Sequence, residues 1–287
     1  MQNTPIVRPF FDDSTNTFTY IVYDPSSLAA CIIDSVAQFN PHTGRLSYET
    51  ADLLIQFVRD HQLHVDWILE THIHADHVSA APYIKTQLGG KLAIGEGIVS
   101  AKIFWQPVFD LQFQELAFDH LWQDQETFLL GEIVCRVMAT PGHTAVDVSY
   151  LIGDALFVGD TVFMPDYGTA RCDFPGGSAH ELYRSSRRLF SLPEQTRVFV
   201  GHDYLPENRS QYQCETTIKA EKEANIHVNT TMPEHDFVKL RESRDRSLQA
   251  PRLIIPALQI NLNAGDCMVD TRGHPVIKVP VNNSLFG

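Results

Sequence analysis

The stretch Thr71-His72-Ile73-His74-Ala75-Asp76-His77 decides how this chain is read. Three of its side chains are imidazoles, the group most used to hold a catalytic metal, and a carboxylate stands among them. Before it, Val65-Asp66-Trp67-Ile68-Leu69-Glu70 is rich in β-branched and aromatic residues and reads as a buried strand. After it, residues 78–88 are rich in helix formers and stop at Gly89-Gly90, a common helix end. The histidines therefore stand on a strand-to-helix turn, where an open α/β sheet presents its chemistry.

On the N-terminal side, Phe18-Thr19-Tyr20-Ile21-Val22-Tyr23 alternates as a strand, Pro25-Ser26-Ser27 turns, and residues 28–34 read as its partner. Residues 35–46, with Asn40-Pro41-His42-Thr43-Gly44, read as a loop that leaves His42 in solvent. Over residues 49–61, Ala51, Leu53, Leu54, Ile55, Phe57 and Val58 fall at helical spacing. On the C-terminal side, residues 91–95 form a short strand. Residues 96–118, with Phe104, Trp105, Pro107 and Phe109, are an aromatic connection of no assigned element that reads as packing. Four short apolar runs at 127–130, 132–138, 148–152 and 155–158 then form a meander, a second sheet packed on the first. A helix over 179–190 leads to a strand at 197–200 and the turn Gly201-His202-Asp203-Tyr204.

Three further polar signals fall at strand ends: Thr140-Pro141-Gly142-His143-Thr144, Val158-Gly159-Asp160-Thr161 and Gly201-His202-Asp203. In each, a glycine precedes the ligand-type residue, so the backbone can turn sharply and the side chain project from the sheet edge. The combined inventory is His72, His74, Asp76, His77, His143, Asp160 and His202. All are nitrogen or oxygen donors, a set that suits zinc, iron or manganese rather than a structural cysteine site.

Composition sets outer bounds. A chain of 287 residues, 44% hydrophobic and 20% charged, can bury a sizeable core. With 22 Lys plus Arg against 35 Asp plus Glu the formal charge is −13, which argues against nucleic acid or an anionic membrane as main partner. An anionic small substrate needs only a local group of arginines. No secretory signal or membrane span is read, and the five cysteines form no C-x-x-C pair, so a reduced, cytoplasmic protein is expected.

The series T-H-x-H-x-D-H, G-H-T, G-D and G-H-D, from Thr71 to Asp203, resembles the metallo-β-lactamase superfamily. The resemblance implies an αββα four-layer sandwich: one domain over residues 1–287, with a core at about 5–205 and an extension at 206–287 completing fold and pocket. The commonest true metallo-β-lactamases carry Cys where this chain has Asp160, so antibiotic hydrolysis is not expected. Within residues 167–177, Gly168, Arg171, Asp173 and Phe174 match the G-x-x-R-x-D-F pattern of persulfide (sulfur) dioxygenases. Glyoxalase II enzymes share the Gly and Arg but usually lack the Asp-Phe. The tail at 252–265 also resembles bacterial persulfide dioxygenases.

The resemblance implies one Fe(II) per chain held by His72, His143 and Asp160, with His74, Asp76, His77 and His202 around it. A 2-His-1-carboxylate face leaves positions open for a persulfide and O₂. The implied reaction oxidises glutathione persulfide to sulfite and glutathione, in a homodimer. The alternative relative implies two zinc ions, with Asp160 bridging, and hydrolysis of a glutathione thioester. A non-catalytic metal-binding scaffold is the reading from another class. Arg171 is expected on a glutathione carboxylate, with Tyr204 and Arg252 as further pocket residues. Arg241, Arg244 and Arg246 read as a solvated helix face, Asp173 as structural and Cys172 as a packed thiol.

Overall fold

A computed structural model describes residues 4–111 and 117–282; positions 112–116 of the aromatic connection and the two chain ends lie outside the described residues. The chain begins with strands β1 (Ile6–Asp12), β2 (Thr17–Tyr23), β3 (Ala29–Ile33), β4 (Val36–Asn40) and β5 (Arg45–Ser47). Helix α1 (Glu49–Asp60) and strand β6 (His64–Leu69) lead into the histidine turn. Then come β7 (Val78–Ser79), α2 (Ala81–Leu88), β8 (Lys91–Gly95), α3 (Ile98–Phe109) and β9 (His120–Trp122). The second half runs through β10 (Thr127–Leu130), β11 (Ile133–Ala139), β12 (Val148–Ile152), β13 (Ala155–Phe157), α4 (Ala179–Leu189), β14 (Arg197–Phe199) and β15 (Glu215–Thr217). Helices α5 (Ile218–Ala224), α6 (Glu234–Asp245) and α7 (Ile254–Asn261) and a small hairpin, β16 (Met268–Val269) with β17 (Pro275–Val276), follow.

Two six-stranded sheets result, ordered β1-β2-β3-β6-β8-β9 and β10-β11-β12-β13-β14-β15. They pack face to face, as the meander led one to expect. Alternation along β2 and β3 shows how. Phe18, Tyr20, Val22, Cys31 and Ile33 enter the cluster between the sheets, while Ile21, Ala30 and Ile32 face a second cluster with Leu54 and Val58 of α1 and Ile84 of α2. Both faces of these strands are buried, which is why they read as near-continuous apolar runs. A third cluster puts Leu182 and Leu189 of α4 and Phe237 of α6 against Leu156 and Val198 of the second sheet. The layers are therefore α, β, β, α. No helix among the described residues is long and apolar enough to cross a membrane.

Three expectations change. Residues 35–46 are a hairpin, β4 with β5, in which the Asn40 side chain accepts the His42 and Thr43 amides across the tip. The chain at Val78–Ser79 is a strand paired with Val36–Ala37, so α2 begins only at Ala81. The β-branched Val78 is buried there and the Ser79 amide is taken by the Asn261 side chain, so tertiary partners fix this pair as strand. Finally, the aromatic connection contains α3, whose Trp105 and Phe109 are buried, in keeping with packing.

Candidate metal centre

All four polar signals meet at one edge of the sandwich. His72, His143 and Asp160 present ligand atoms within 4.8 Å of one another, as do His74, Asp76 and His77, and Asp34, Glu70 and His74. Asp160 Oδ2 lies 4.0 Å from His72 Nε2 and 3.6 Å from His143 Nε2, while its Oδ1 is 3.4 Å from His202 Nε2. Atoms that each bind one ion at about 2.0–2.2 Å are separated by about 3–4 Å, so this spacing fits a shared ion.

Each ring is held by its other nitrogen. Asp34, at the end of β3 with φ +53°, accepts from the Thr71 amide at 2.7 Å and from Thr71 Oγ1 at 2.8 Å. The Thr71 hydroxyl has only one proton, so at 2.9 Å from His72 Nδ1 it must accept. His72 Nε2 is thereby left as a lone pair. Burial, followed by the neighbouring His74 and His143, holds the His72 pKa well below its usual value. His143 Nδ1 donates to the Arg171 carbonyl at 2.7 Å, and His202 Nδ1 to the Asn16 carbonyl at 3.1 Å. Both present Nε2 inward in the same way.

His74 differs. Its Nε2 is shared between Asp34 at 3.1 Å and Glu70 at 3.2 Å. Burial disfavours its charge, but the two carboxylates outweigh that and raise its pKa well above the usual value. His72 Nε2, His74 Nδ1, His77 Nε2 and Asp160 Oδ1 are buried without any hydrogen-bond partner. A buried polar atom left unpaired costs about 1–3 kcal/mol. Four such atoms at one place, with no thiolate among them, fit a metal ion as the missing partner.

Glycine shapes two of the strand ends. A Cβ at Gly159, φ +48°, would come within 2.4 Å of Thr71 Oγ1, and one at Gly142, φ +146°, within 2.3 Å of the Leu182 backbone. From the far end of the chain, Asn261 clamps the histidine turn: its Nδ2 donates to the His74 and His77 carbonyls at 2.9 and 2.8 Å. Sequence reading missed Asp34, Glu70 and Asn261 as site residues. The signal for Asp34 was present, a carboxylate ending an apolar strand. Asn261 had none, because its partners lie more than 180 residues away.

Replacing Asp34 with Ala is expected to weaken metal binding by about 10–100-fold, since it frees both Thr71 and His74. Competition with a chelator measures this, and unchanged affinity would show that Asp34 does not set the rings.

The open side of the centre is a cavity of about 370 Å³, lined by His143, Asp160, Phe163, Tyr167, Arg171, Tyr204 and a group of arginines, Arg241, Arg244 and Arg252. Arg171 is spent on its own loop: Nε and Nη2 bind Asp173 at 2.6 and 2.8 Å, and Nη1 binds the Gln249 carbonyl at 2.7 Å. Asp173 thus has the structural role expected of it. Arg241 is no solvated side chain. It is 1% exposed, ion-paired to Asp245 and bound to the Thr169 carbonyl, because α6 packs this face against the second sheet's loops. Cys172 is buried, and burial pushes its thiol up to about 12.

Arg244 stands beside His227, with Nη1 3.2 Å from Nε2. The Thr169 amide donates to His227 Nδ1, and burial holds this histidine down at about 4, so its one proton sits on Nε2. Nε2 therefore has no lone pair for Arg244. Among the described residues neither Arg244 nor Arg252 has a carboxylate partner. On a chain of net charge −13, the cavity mouth is a local cationic field.

The description "Metallo-beta-lactamase superfamily" matches residues 43–202. The chain belongs to the metallo-β-lactamase superfamily. A beta-lactamase hydrolase-like protein of Xylella fastidiosa is 42% identical over 97% of this chain, which spans 65% of that relative's length. Glyoxylase B2 of Dictyostelium discoideum is 40% identical, covering 98% of this chain and 99% of its own. Persulfide dioxygenase ETHE1 of Bos taurus is 26% identical over 91% of this chain and 89% of its own. The crystal structure of ETHE1 from Myxococcus xanthus superposes with a TM-score of 0.73, at 29% identity, over 91% of this chain and all of that one.

Proposed function

We propose that this superfamily member is a mononuclear iron dioxygenase acting on glutathione persulfide. The observation that carries the reading is the convergence of His72, His143 and Asp160 within 4.8 Å, a 2-His-1-carboxylate face of which His143 and Asp160 line the cavity. Iron(II) bound there would supply open coordination positions and the electrons that activate O₂. His74, tied by Nε2 to Asp34 and Glu70, orients the turn rather than completing the set. The likeness to ETHE1, in sequence and in structure, supports the same reading.

The overall conversion balances as glutathione persulfide plus O₂ plus water giving glutathione, sulfite and two protons. The two sulfurs together lose four electrons and O₂ gains four. This chain's residues bind and orient the thiol carrier. Arg244 and Arg252, which have no carboxylate partner among the described residues, take the carboxylates of glutathione beside the loop-bound Arg171, with Tyr167 and Tyr204 along its flank. Arg244→Met and Arg252→Met are each expected to raise KM for the persulfide by about tenfold with kcat little changed, the pattern of lost uniform binding. Arg171→Lys instead disturbs the loop that accepts from His143 and lowers kcat.

A second reading, a two-zinc thioester hydrolase, is favoured by one feature: His202 Nε2 lies 3.4 Å from both Asp76 and Asp160, donors for a second ion beside the first. The name of the Dictyostelium relative points the same way. Metal content of protein purified without added metal, with O₂ uptake on glutathione persulfide, separates the two. About one iron per chain and persulfide-dependent uptake supports the dioxygenase. Two zinc ions, no uptake and cleavage of S-lactoylglutathione overturns it.

A further inference from the structure

Behind the ligand-bearing turn lies a second cavity, of about 150 Å³, that the site described above does not use. Its walls come from the turn itself (Ile73 and Ala75), from the segment after His143 (Thr144 to Val146), from Ala101 and Trp105 of α3 and from Leu258 of α7. Ile73, Ala75, Trp105, Val146 and Leu258 are all buried. Its outer rim, Ser100, Phe104 and Ala145, is exposed, so the cavity opens to solvent there. Thr144, half-buried in the wall, donates its hydroxyl to Asp147. Its buried inner wall is apolar throughout, the kind of surface that takes up small apolar molecules such as xenon.

The cavity adjoins the metal centre. Ala75 and Phe174 line both it and the arginine-rich cavity, so these two residues are the partition between them. Phe174 meets the His143 ring edge-on at 5.3 Å, and the Arg171 guanidinium lies 5.0 Å above its own ring. One ligand of the centre thus touches the wall of each compartment.

We propose that the apolar cavity holds dioxygen and delivers it past Ala75 and Phe174 to the metal centre, while the anionic thiol carrier enters through the arginine-lined mouth. This rests on the dioxygenase reading. The two substrates of that reaction differ as the compartments do. One is a polyanion that needs arginines, and the other is small, uncharged and apolar, and favours surroundings without water. Separate entrances let O₂ arrive after the carrier has filled the first cavity.

Xenon-pressurised crystals of the unmodified protein test the cavity directly. A xenon site between Ala101, Trp105, Val146 and Leu258 is expected, and its absence overturns the proposal. Ala101→Phe, remote from the metal ligands, fills the space. It is expected to remove the xenon site and raise KM for O₂ by about tenfold, with iron content and KM for glutathione persulfide unchanged. If the unmodified enzyme takes up O₂ with persulfide but the variant's KM for O₂ does not move, this inference alone fails. If the iron-loaded enzyme takes up none, the dioxygenase reading fails and takes this one with it. Should S-octylglutathione inhibit far more tightly than S-methylglutathione, and Ala101→Phe abolish the difference, the cavity is an acyl pocket and the proposal is overturned.

Discussion

His143→Ala is expected to abolish metal binding and to reduce persulfide-dependent O₂ uptake by about 1000-fold or more, the loss that follows when several kcal/mol of metal assistance disappear. His143 is the one of the three grouped residues that also touches the cavity partition, through the Phe174 ring. Its Nδ1 is fixed on the Arg171 carbonyl, which leaves Nε2 as the nitrogen offered to a metal. The paired substitution His202→Ala sharpens the result. A one-iron centre retains about one metal per chain without His202, whereas a two-metal centre drops from about two to one and loses hydrolysis. Metal analysis of the two variants side by side reads this out. Full metal content in His143→Ala would remove the basis of the ligand assignment.

The second large effect concerns stability. Asp245→Ala is expected to destabilise the fold by about 3–5 kcal/mol, because it leaves the Arg241 guanidinium buried without its counter-charge. Asp245 Oδ2 also accepts the Cys172 amide at 2.9 Å, so the same change strips a hydrogen bond from the loop that carries Arg171. Urea denaturation measures the loss. The double change Arg241→Met with Asp245→Leu is expected to recover most of it, since an apolar pair of similar volume avoids the unpaired charge. A single Asp245→Ala within about 0.5 kcal/mol of the parent would place Arg241 in contact with solvent after all.

The charged stretch around Arg241 shows where a linear reading loses information. Three arginines within six positions look alike in the sequence, yet Arg241 is buried, Arg244 opens onto the cavity and Arg246 reaches back to the Glu242 carbonyl. Helix α6 has little apolar contrast around its circumference, so nothing local says which arginine points inward. The partner that decides it for Arg241, the Thr169 carbonyl, comes from elsewhere in the chain. Val78–Ser79 makes the same point for the backbone: the start of a run read as helix became a strand because β4 and Asn261 were there to pair with it.

The sequence by itself determined the layered fold and that donor-type side chains stand at several of its strand ends. Those depend on short-range chemistry: apolar runs of strand length, a histidine-rich turn at the end of one, and at three others a glycine before the donor that lets it project from a sheet edge. Thr71 to His77, Gly142-His143, Gly159-Asp160 and Gly201-His202 carry that pattern within a few residues each. Only the tertiary structure decided how each ring is turned, which arginines remain uncommitted and that an apolar chamber lies behind Phe174. Each of these is a competition for one partner among groups far apart in the chain. Asp34 holds Thr71 and His74, Asp173 neutralises Arg171 and Asn261 closes the turn. Such outcomes are fixed by distance and hydrogen-bond supply in space, which residue order does not encode locally.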